Sequence, residues 1–249
     1  MPENSYTVLN ENSNCELIIT VEHASNNIPD EYNNLGLSKD KLSTHIARDK
    51  GVKEIAEILA KKIGCFAIMG NYSRLLVDLN RRENEEELIV KVSDKVVVPH
   101  NQNVDETERK KRLEKYYFPY YAKIEKQITH LQSLGKKPLF FSIHSYTPKL
   151  QDGDFRPWQA GILWHKKTKL ADFMYEKLQR TNKVVGENVP YDLRKYNTGT
   201  VIVCGEEKGF DYALIEIRDD EFDDLTKGAE AWSDILENIL REFMFDKRK

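Results

Sequence analysis

Leu139-Phe140-Phe141-Ser142-Ile143-His144 is apolar almost throughout and ends on a histidine. Such a run reads as a strand buried on both faces, the kind found in parallel sheets covered by helices. Leu17-Ile18-Ile19-Thr20-Val21-Glu22-His23 repeats the pattern. Two further runs read as strands that carry charge: Leu75-Leu76-Val77-Asp78-Leu79-Asn80-Arg81 and Leu214-Ile215-Glu216-Ile217-Arg218-Asp219-Asp220. In sheets of this kind ligands bind beyond the strand carboxyl ends. The polar residues that terminate these runs are therefore the first candidates for chemistry.

Working outward, helical patterns separate the runs. Val52, Ile55, Ile58, Leu59 and Ile63 share one face of a helix that begins near Asp49 and is capped at Gly64. Cys65-Phe66-Ala67-Ile68-Met69 and Gly161-Ile162-Leu163-Trp164 read as strands, and Lys183-Val184-Val185-Gly186 as a short one. Leu35 to Lys41 begin a short helix, and 169–180 and 224–243 are longer helices. A long helical pattern starting near Asp105 contains Pro119, which predicts a kink or restart. Thr200-Val201-Ile202-Val203-Cys204 fits strand and buried helix equally well. The span 82–95 reads as a charged, solvated excursion, and Arg109-Lys110-Lys111-Arg112 as a solvated helix face. This alternation predicts an α/β fold: a three-layer α/β/α sandwich around a mostly parallel mixed sheet. No repeat or linker divides the chain, so residues 1–249 are read as one domain, with 1–14 as a loosely ordered lead.

Composition narrows the function classes. Lys and Arg total 38 against 41 Asp and Glu, a net charge of -3 that predicts no broad attraction to nucleic acid. No apolar stretch approaches the roughly 18 to 20 residues of a membrane helix. The polar start lacks the layout of a secretory signal, and Cys15, Cys65 and Cys204 show no paired spacing. A reduced, cytoplasmic compartment is the expectation. The helix stripes are accounted for by the core, which leaves the oligomeric state open.

Two histidines at strand ends, His23 and His144, suggest a divalent metal site, and imidazole suits zinc. A catalytic zinc usually has three protein ligands and an open position. Asn26 has the spacing of a third ligand but not the chemistry. Asp49 has the charge, competes with a helix-cap role, and is taken into the site. Glu22, next to His23, is expected to point to the opposite face of its strand. Glu216, an acid within an apolar run, suits a general base beside activated water. Arg81 and Arg218 offer guanidinium forks for a substrate carboxylate, and Asp78 would support the site from behind. Asn188-Val189-Pro190-Tyr191 is read as a lid or specificity loop.

Five motifs in order carry a resemblance: Val21-Glu22-His23-Ala24-Ser25-Asn26, Arg48-Asp49-Lys50-Gly51, Ser73-Arg74 through Asp78-Leu79-Asn80-Arg81, Ser142-Ile143-His144-Ser145-Tyr146 and Ile215-Glu216-Ile217-Arg218-Asp219. Together, over roughly residues 17 to 225, they resemble the N-formylglutamate amidohydrolase family. The Asp-Leu-Asn-Arg element also resembles the aspartoacylase and succinylglutamate desuccinylase group, relatives of zinc carboxypeptidases. The resemblance implies a phosphorylase/hydrolase-like fold and metal-dependent hydrolysis of a small, carboxylate-bearing N-acyl amino acid, N-formyl-L-glutamate above all. Carried over by motif, His23 and His144 become ligands of one divalent metal ion, and Glu216 the base. Asn80 and Arg81 become the carboxylate clamp, with Arg74 and Arg218 beside them. Asn101 and Tyr146 complete the expected site. One departure stands out: the relatives use His-x-x-Glu, whereas this chain has His23-Ala24-Ser25-Asn26. Two alternatives therefore stay open, a metallo-hydrolase of another amide and a binding protein without its metal.

Overall fold

A computed structural model of the chain describes residues 4–246. Seven strands form one sheet: β1 (Tyr6–Leu9), β2 (Leu17–Val21), β3 (Phe66–Gly70), β6 (Leu139–Tyr146), β7 (Ala160–Leu163), β8 (Val185–Glu187) and β9 (Asp211–Arg218). Their order across the sheet is β1-β3-β2-β6-β9-β7-β8. The central strands β3, β2, β6 and β9 run parallel, and β8 runs parallel to β7. Within this sheet, among the described residues, the β1–β3 and β7–β9 pairings are the antiparallel ones. A separate hairpin pairs β4 (Val92–Ser93) with β5 (Val96–Val97).

Strand alternation divides the core into two layers. Odd-numbered residues of β2, β6 and β9, such as Ile19, Phe141 and Ile215, pack with α2 (Val52–Ile63), α5 (Lys169–Gln179) and α6 (Leu225–Asp246). Even-numbered ones, such as Ile18, Phe140 and Leu214, pack with α4 (Phe118–Ser133) and the long segment after β3. His144 and Glu216 have the parity of Phe140 and Leu214, and they face each other in the β6–β9 register. The sheet therefore delivers both side chains, side by side, to the α4 face at the strand carboxyl ends.

The expected three-layer α/β/α sandwich with a mostly parallel mixed sheet is what forms. Five expectations need correction. The lead is not loose where it is described: β1 adds an antiparallel edge strand to β3. Leu75 to Leu79 is not a strand. These residues are buried in an irregular loop whose carbonyls bond to side chains instead of to a neighbouring strand: Asn101 Nδ2 donates to Leu75 O, Arg112 Nη1 to Leu76 O and Tyr121 OH to Leu79 O. Apolar composition alone could not distinguish such a loop from a strand, because both bury their side chains. Arg112 is accordingly buried, not solvated, although it belongs to α3 (Glu106–Arg112). The span 82–95 is not wholly solvated either, since Leu88 and Ile89 are buried. As expected, Pro119 lies in the first turn of α4, after a π-helical turn at Leu113–Tyr117. The ambiguous stretch from Thr200 is another such turn, Val201–Gly205. The short helix expected from Leu35 is instead split between a 3-10 turn at Asp30–Gly36 and α1 (Lys39–Leu42).

Two glycines position the loop that follows β8. A Cβ on Gly161 would lie 1.7 Å from Val189 O, and one on Gly186 would lie 2.5 Å from Val189 Cγ2. Only bare backbone on β7 and β8 lets Val189 pack this closely, and Asn188 anchors the loop by accepting from Trp164 N at 2.9 Å.

Asn101, expected at the substrate site, instead holds the buried loop together. Its Nδ2 serves Leu75 O and Val90 O, while its Oδ1 accepts from Arg112 at 2.8 Å. Asn101→Ala should cost about 3 kcal/mol in urea denaturation, because it leaves buried polar groups unpaired. A KM increase with unchanged stability would return Asn101 to substrate binding.

Candidate active site

Beyond the strand ends the chain gathers an ionisable cluster. His23 lies two residues past the end of β2, and its Nε2 is 2.7 Å from Asp78 Oδ1. His144 Nε2 lies 3.0 Å from Glu22 Oε2, which also accepts from Ser142 Oγ at 2.8 Å. The inner nitrogens converge on Asp49: His144 Nδ1 is 2.9 Å and His23 Nδ1 3.4 Å from its Oδ2. Each ring thus has a carboxylate on its far nitrogen and turns Nδ1 inward, the usual arrangement of metal-ligating histidines. His23, Asp49 and His144 are all buried, and one donor atom from each lies within 4.8 Å of the others. Imidazole and carboxylate donors in this arrangement can hold a divalent ion.

Asp49 is free for this role because it is not the helix cap. That position falls to Gly51, whose φ of +83° turns the chain into α2. A Cβ at Gly51 would lie 2.4 Å from the Phe222 ring. Glu22 corrects the expectation drawn from strand alternation. β2 ends at Val21, and past that point the backbone turns and aims the carboxylate at His144. Asn26 donates to Leu42 O and takes no part.

The loop after β3 supplies the cationic side. Arg74 pairs with Asp78 at 2.9 Å and approaches Asp49 at 3.8 Å. Asn80 accepts from Thr200 N through Oδ1, which leaves its NH2 group for a ligand. Arg81 lines the same cleft with Glu87 at its mouth, 3.3 Å from Arg81 Nε. Tyr191, from the loop read as a lid, borders the cleft as well. Two expected members stand apart. Arg218 Nη1 donates to the carbonyls of Arg156 and Pro157, and its Nε pairs with Asp220. Tyr146 OH donates to Trp158 O under the Arg156 guanidinium. Both brace the segment between β6 and β7, and neither borders the cleft.

Charge in this cluster is strongly coupled. Burial alone would raise the Glu22 carboxyl, but His144 outweighs it and brings the pKa down to about 2. Burial is likewise outweighed at Asp78, where Arg74 and His23 hold the carboxyl well below its usual range. Against its own burial, His144 is raised well above its usual value by Asp49 and Glu22. Glu216 behaves differently. Burial, reinforced by the Asp49 charge, pushes it up to about 7, and its Oε2 has no hydrogen-bond partner among the described residues. An acid so placed stands ready to accept a proton near neutral pH.

The N-formylglutamate amidohydrolase profile matches residues 15–222, most of the chain. The chain belongs to the N-formylglutamate amidohydrolase family. It is therefore a hydrolase of amide bonds, as the resemblance in the motifs implied. Among solved structures, a gene product of Agrobacterium tumefaciens superposes with a TM-score of 0.91 at 28% identity, covering 99% of this chain and 97% of that one. An N-formylglutamate amidohydrolase from Ralstonia eutropha shares the fold with a TM-score of 0.76 at 18% identity, covering 98% of each chain. A bacteriophage poly-gamma-glutamate hydrolase is more distant, with a TM-score of 0.50 at 10% identity, over 98% of this chain and 92% of that one. No curated protein sequence matches. Among the described residues, no helix is long and apolar enough to cross a membrane.

In this member of the family, the raised pKa of Glu216 has a consequence for stability. A carboxyl whose folded-state pKa lies above its ordinary 4.5 favours the fold at low pH, and that contribution is lost as pH rises through 7. The stability gained by Glu216→Gln over the metal-free wild type should therefore grow as pH rises from about 4.5 to about 7 and level off above that. Thermal melting of both proteins across that range checks this; a pH-independent difference would contradict it.

Proposed function

We propose that this chain is a metal-dependent amidohydrolase that cleaves a small N-acyl amino acid. N-formyl-L-glutamate, hydrolysed to formate and glutamate, is the substrate that the family description suggests. The observation that carries the reading is the convergence of the His23 and His144 Nδ1 atoms on Asp49, beside a Glu216 oxygen with no partner. Among the described residues, His23 Nδ1 likewise has no hydrogen-bond partner, as a nitrogen kept for a ligand would not. The donor set therefore fits a divalent ion, zinc by its chemistry, held by His23, Asp49 and His144. Bound there, the ion would polarise the scissile carbonyl and make a water easier to deprotonate.

The protein's own groups supply the remaining steps. Glu216 takes a proton from the attacking water as its oxygen joins the carbonyl carbon. The same carboxyl then delivers that proton to the amine nitrogen as the carbon–nitrogen bond breaks. Arg74, next to Asp49, is the cation available to the tetrahedral oxyanion. Arg81 and the Asn80 NH2 group orient the substrate carboxylate. Glu22 and Asp78 fix the two imidazole rings from behind.

Elemental analysis of purified protein should find about one divalent ion per chain. Glu216→Gln should keep that ion and lose turnover by at least about a thousandfold. His144→Ala should lose both. Glu22→Gln should weaken zinc affinity by about 10- to 100-fold in a chelator competition. Arg81→Ala should raise KM for carboxylate-bearing substrates about tenfold or more while changing kcat little. Full turnover in Glu216→Gln would rule out the mechanism.

A further inference from the structure

Tyr146 and Arg218 lie outside the cleft, yet their contacts converge on Arg156, in the segment between β6 and β7. The Arg156 guanidinium lies 4.7 Å from the centre of the Tyr146 ring, and Arg156 O accepts from Arg218 Nη1 at 3.2 Å. Arg156 Nη2 donates to Thr147 O, and its backbone N donates to Pro148 O at 2.8 Å. Held by these contacts, the guanidinium reaches across to the loop after β8. Its Nη1 donates to Tyr191 OH at 3.1 Å, and its Cζ lies 5.6 Å from the Tyr191 ring centre. That loop is itself seated where Val189 packs on Gly161 and Gly186.

Tyr191 borders the cleft and is 40% exposed, so a bound ligand can meet it. Because its oxygen accepts from Arg156, its single O–H is left to donate, and no acceptor for it is found among the described residues. Accepting from a cation also strengthens the phenol as a donor. Burial, reinforced by the Glu216 charge, raises its pKa above the ordinary value, so the proton is kept at neutral pH. Besides Glu216 and Arg156, the charge acting on this hydroxyl is that of Arg74. Glu216 and Arg74 are the proposed base and oxyanion cation. We infer that Tyr191 is a further catalytic residue, whose phenol donates a hydrogen bond to the acyl oxygen as it becomes the tetrahedral oxyanion, and that Arg156 positions it. Tyr146 and Arg218 then serve the reaction at one remove, by holding Arg156. The inference rests on the amidohydrolase reading above.

The test uses zinc-loaded protein and N-formyl-L-glutamate. Tyr191→Phe, which removes only the hydroxyl, should lower kcat about a hundredfold while KM stays within about twofold. Arg156→Ala should lower kcat about tenfold alone and have no further effect in the Tyr191→Phe background, because its action passes through that hydroxyl. Arg156→Lys, which keeps a donor, should recover part of the loss. Isothermal titration gives a readout independent of turnover. N-(methylphosphonyl)-L-glutamate, with a tetrahedral anion in place of the formyl group, should bind Tyr191→Phe at least about tenfold more weakly than wild type, whereas L-glutamate should bind both equally. Unchanged kcat, a loss carried by KM alone, or equal weakening of both ligands would overturn the inference and leave the amidohydrolase reading intact. A further loss from Arg156→Ala in the Tyr191→Phe background would remove Arg156 from the positioning role. Absence of wild-type turnover would count against the amidohydrolase reading, and the titrations would still decide the role of Tyr191.

Discussion

Buried charge must be compensated, and that constraint organises this molecule. Four carboxylates, those of Glu22, Asp49, Asp78 and Glu216, are buried around two imidazoles and the Arg74 guanidinium. Their mutual repulsion is relieved pair by pair: Glu22 against His144, Asp78 against His23 and Arg74, and Asp49 between the two rings. Glu216 has no such close partner, so its carboxyl stays protonated to higher pH. A divalent cation among His23, Asp49 and His144 would complete the balance, which is a physical reason for a cluster this acidic to persist in a protein interior.

The cluster has to be held in place, and the segment after β3 does much of that. It lacks strand neighbours, yet it delivers Arg74, Asp78, Asn80 and Arg81 to one side of the site. Side chains take the place of a strand partner: Asn101, Arg112 and Tyr121 occupy its carbonyls. The tyrosines of α4 are thus packing and hydrogen-bonding residues of a scaffold, and Tyr117 OH donates to Arg81 O in the same way. Backbone held this way beneath Asn80 and Arg81 would let two flexible side chains present one carboxylate-sized target, as the proposed clamp requires.

The opposite wall is built by contrasting means. Gly161 and Gly186 remove side chains from neighbouring strands so that Val189 can lie on them, and the segment beyond carries Tyr191, Leu193 and Tyr196 to the rim. Backbone compactness on the β7–β8 pair therefore sets where this segment meets the cleft, whereas ion pairs hold the side chains of the loop after β3.

Much of this was legible in the sequence. Short apolar runs marked β2, β3, β6 and β9, and their separation by amphipathic helices marked the layered fold, because burial on two faces leaves a continuous apolar pattern. His23 and His144 were visible as ligating residues at the ends of such runs, Glu216 as an acid within one, Asp49 as a charge at a helix start and Arg81 as a cation after another run, and the family motifs added Arg74 and Asn80. Other features were not legible. Leu75 to Leu79 looked like a strand because a buried loop and a strand have the same composition. Tyr146 and Arg218 looked like site residues because they sit near the ends of strands β6 and β9, but nearby carbonyls and Asp220 claim their polar atoms. Glu22 looked misdirected because strand alternation was extended one residue past the point where the strand stops. The sequence by itself determined which residue types could carry the chemistry and roughly which layer each would occupy, since periodicity is a local property. Which carboxylate meets which imidazole, and which donors are consumed by the scaffold, was decided only by the tertiary structure, because those partners lie tens of residues apart and are chosen by packing.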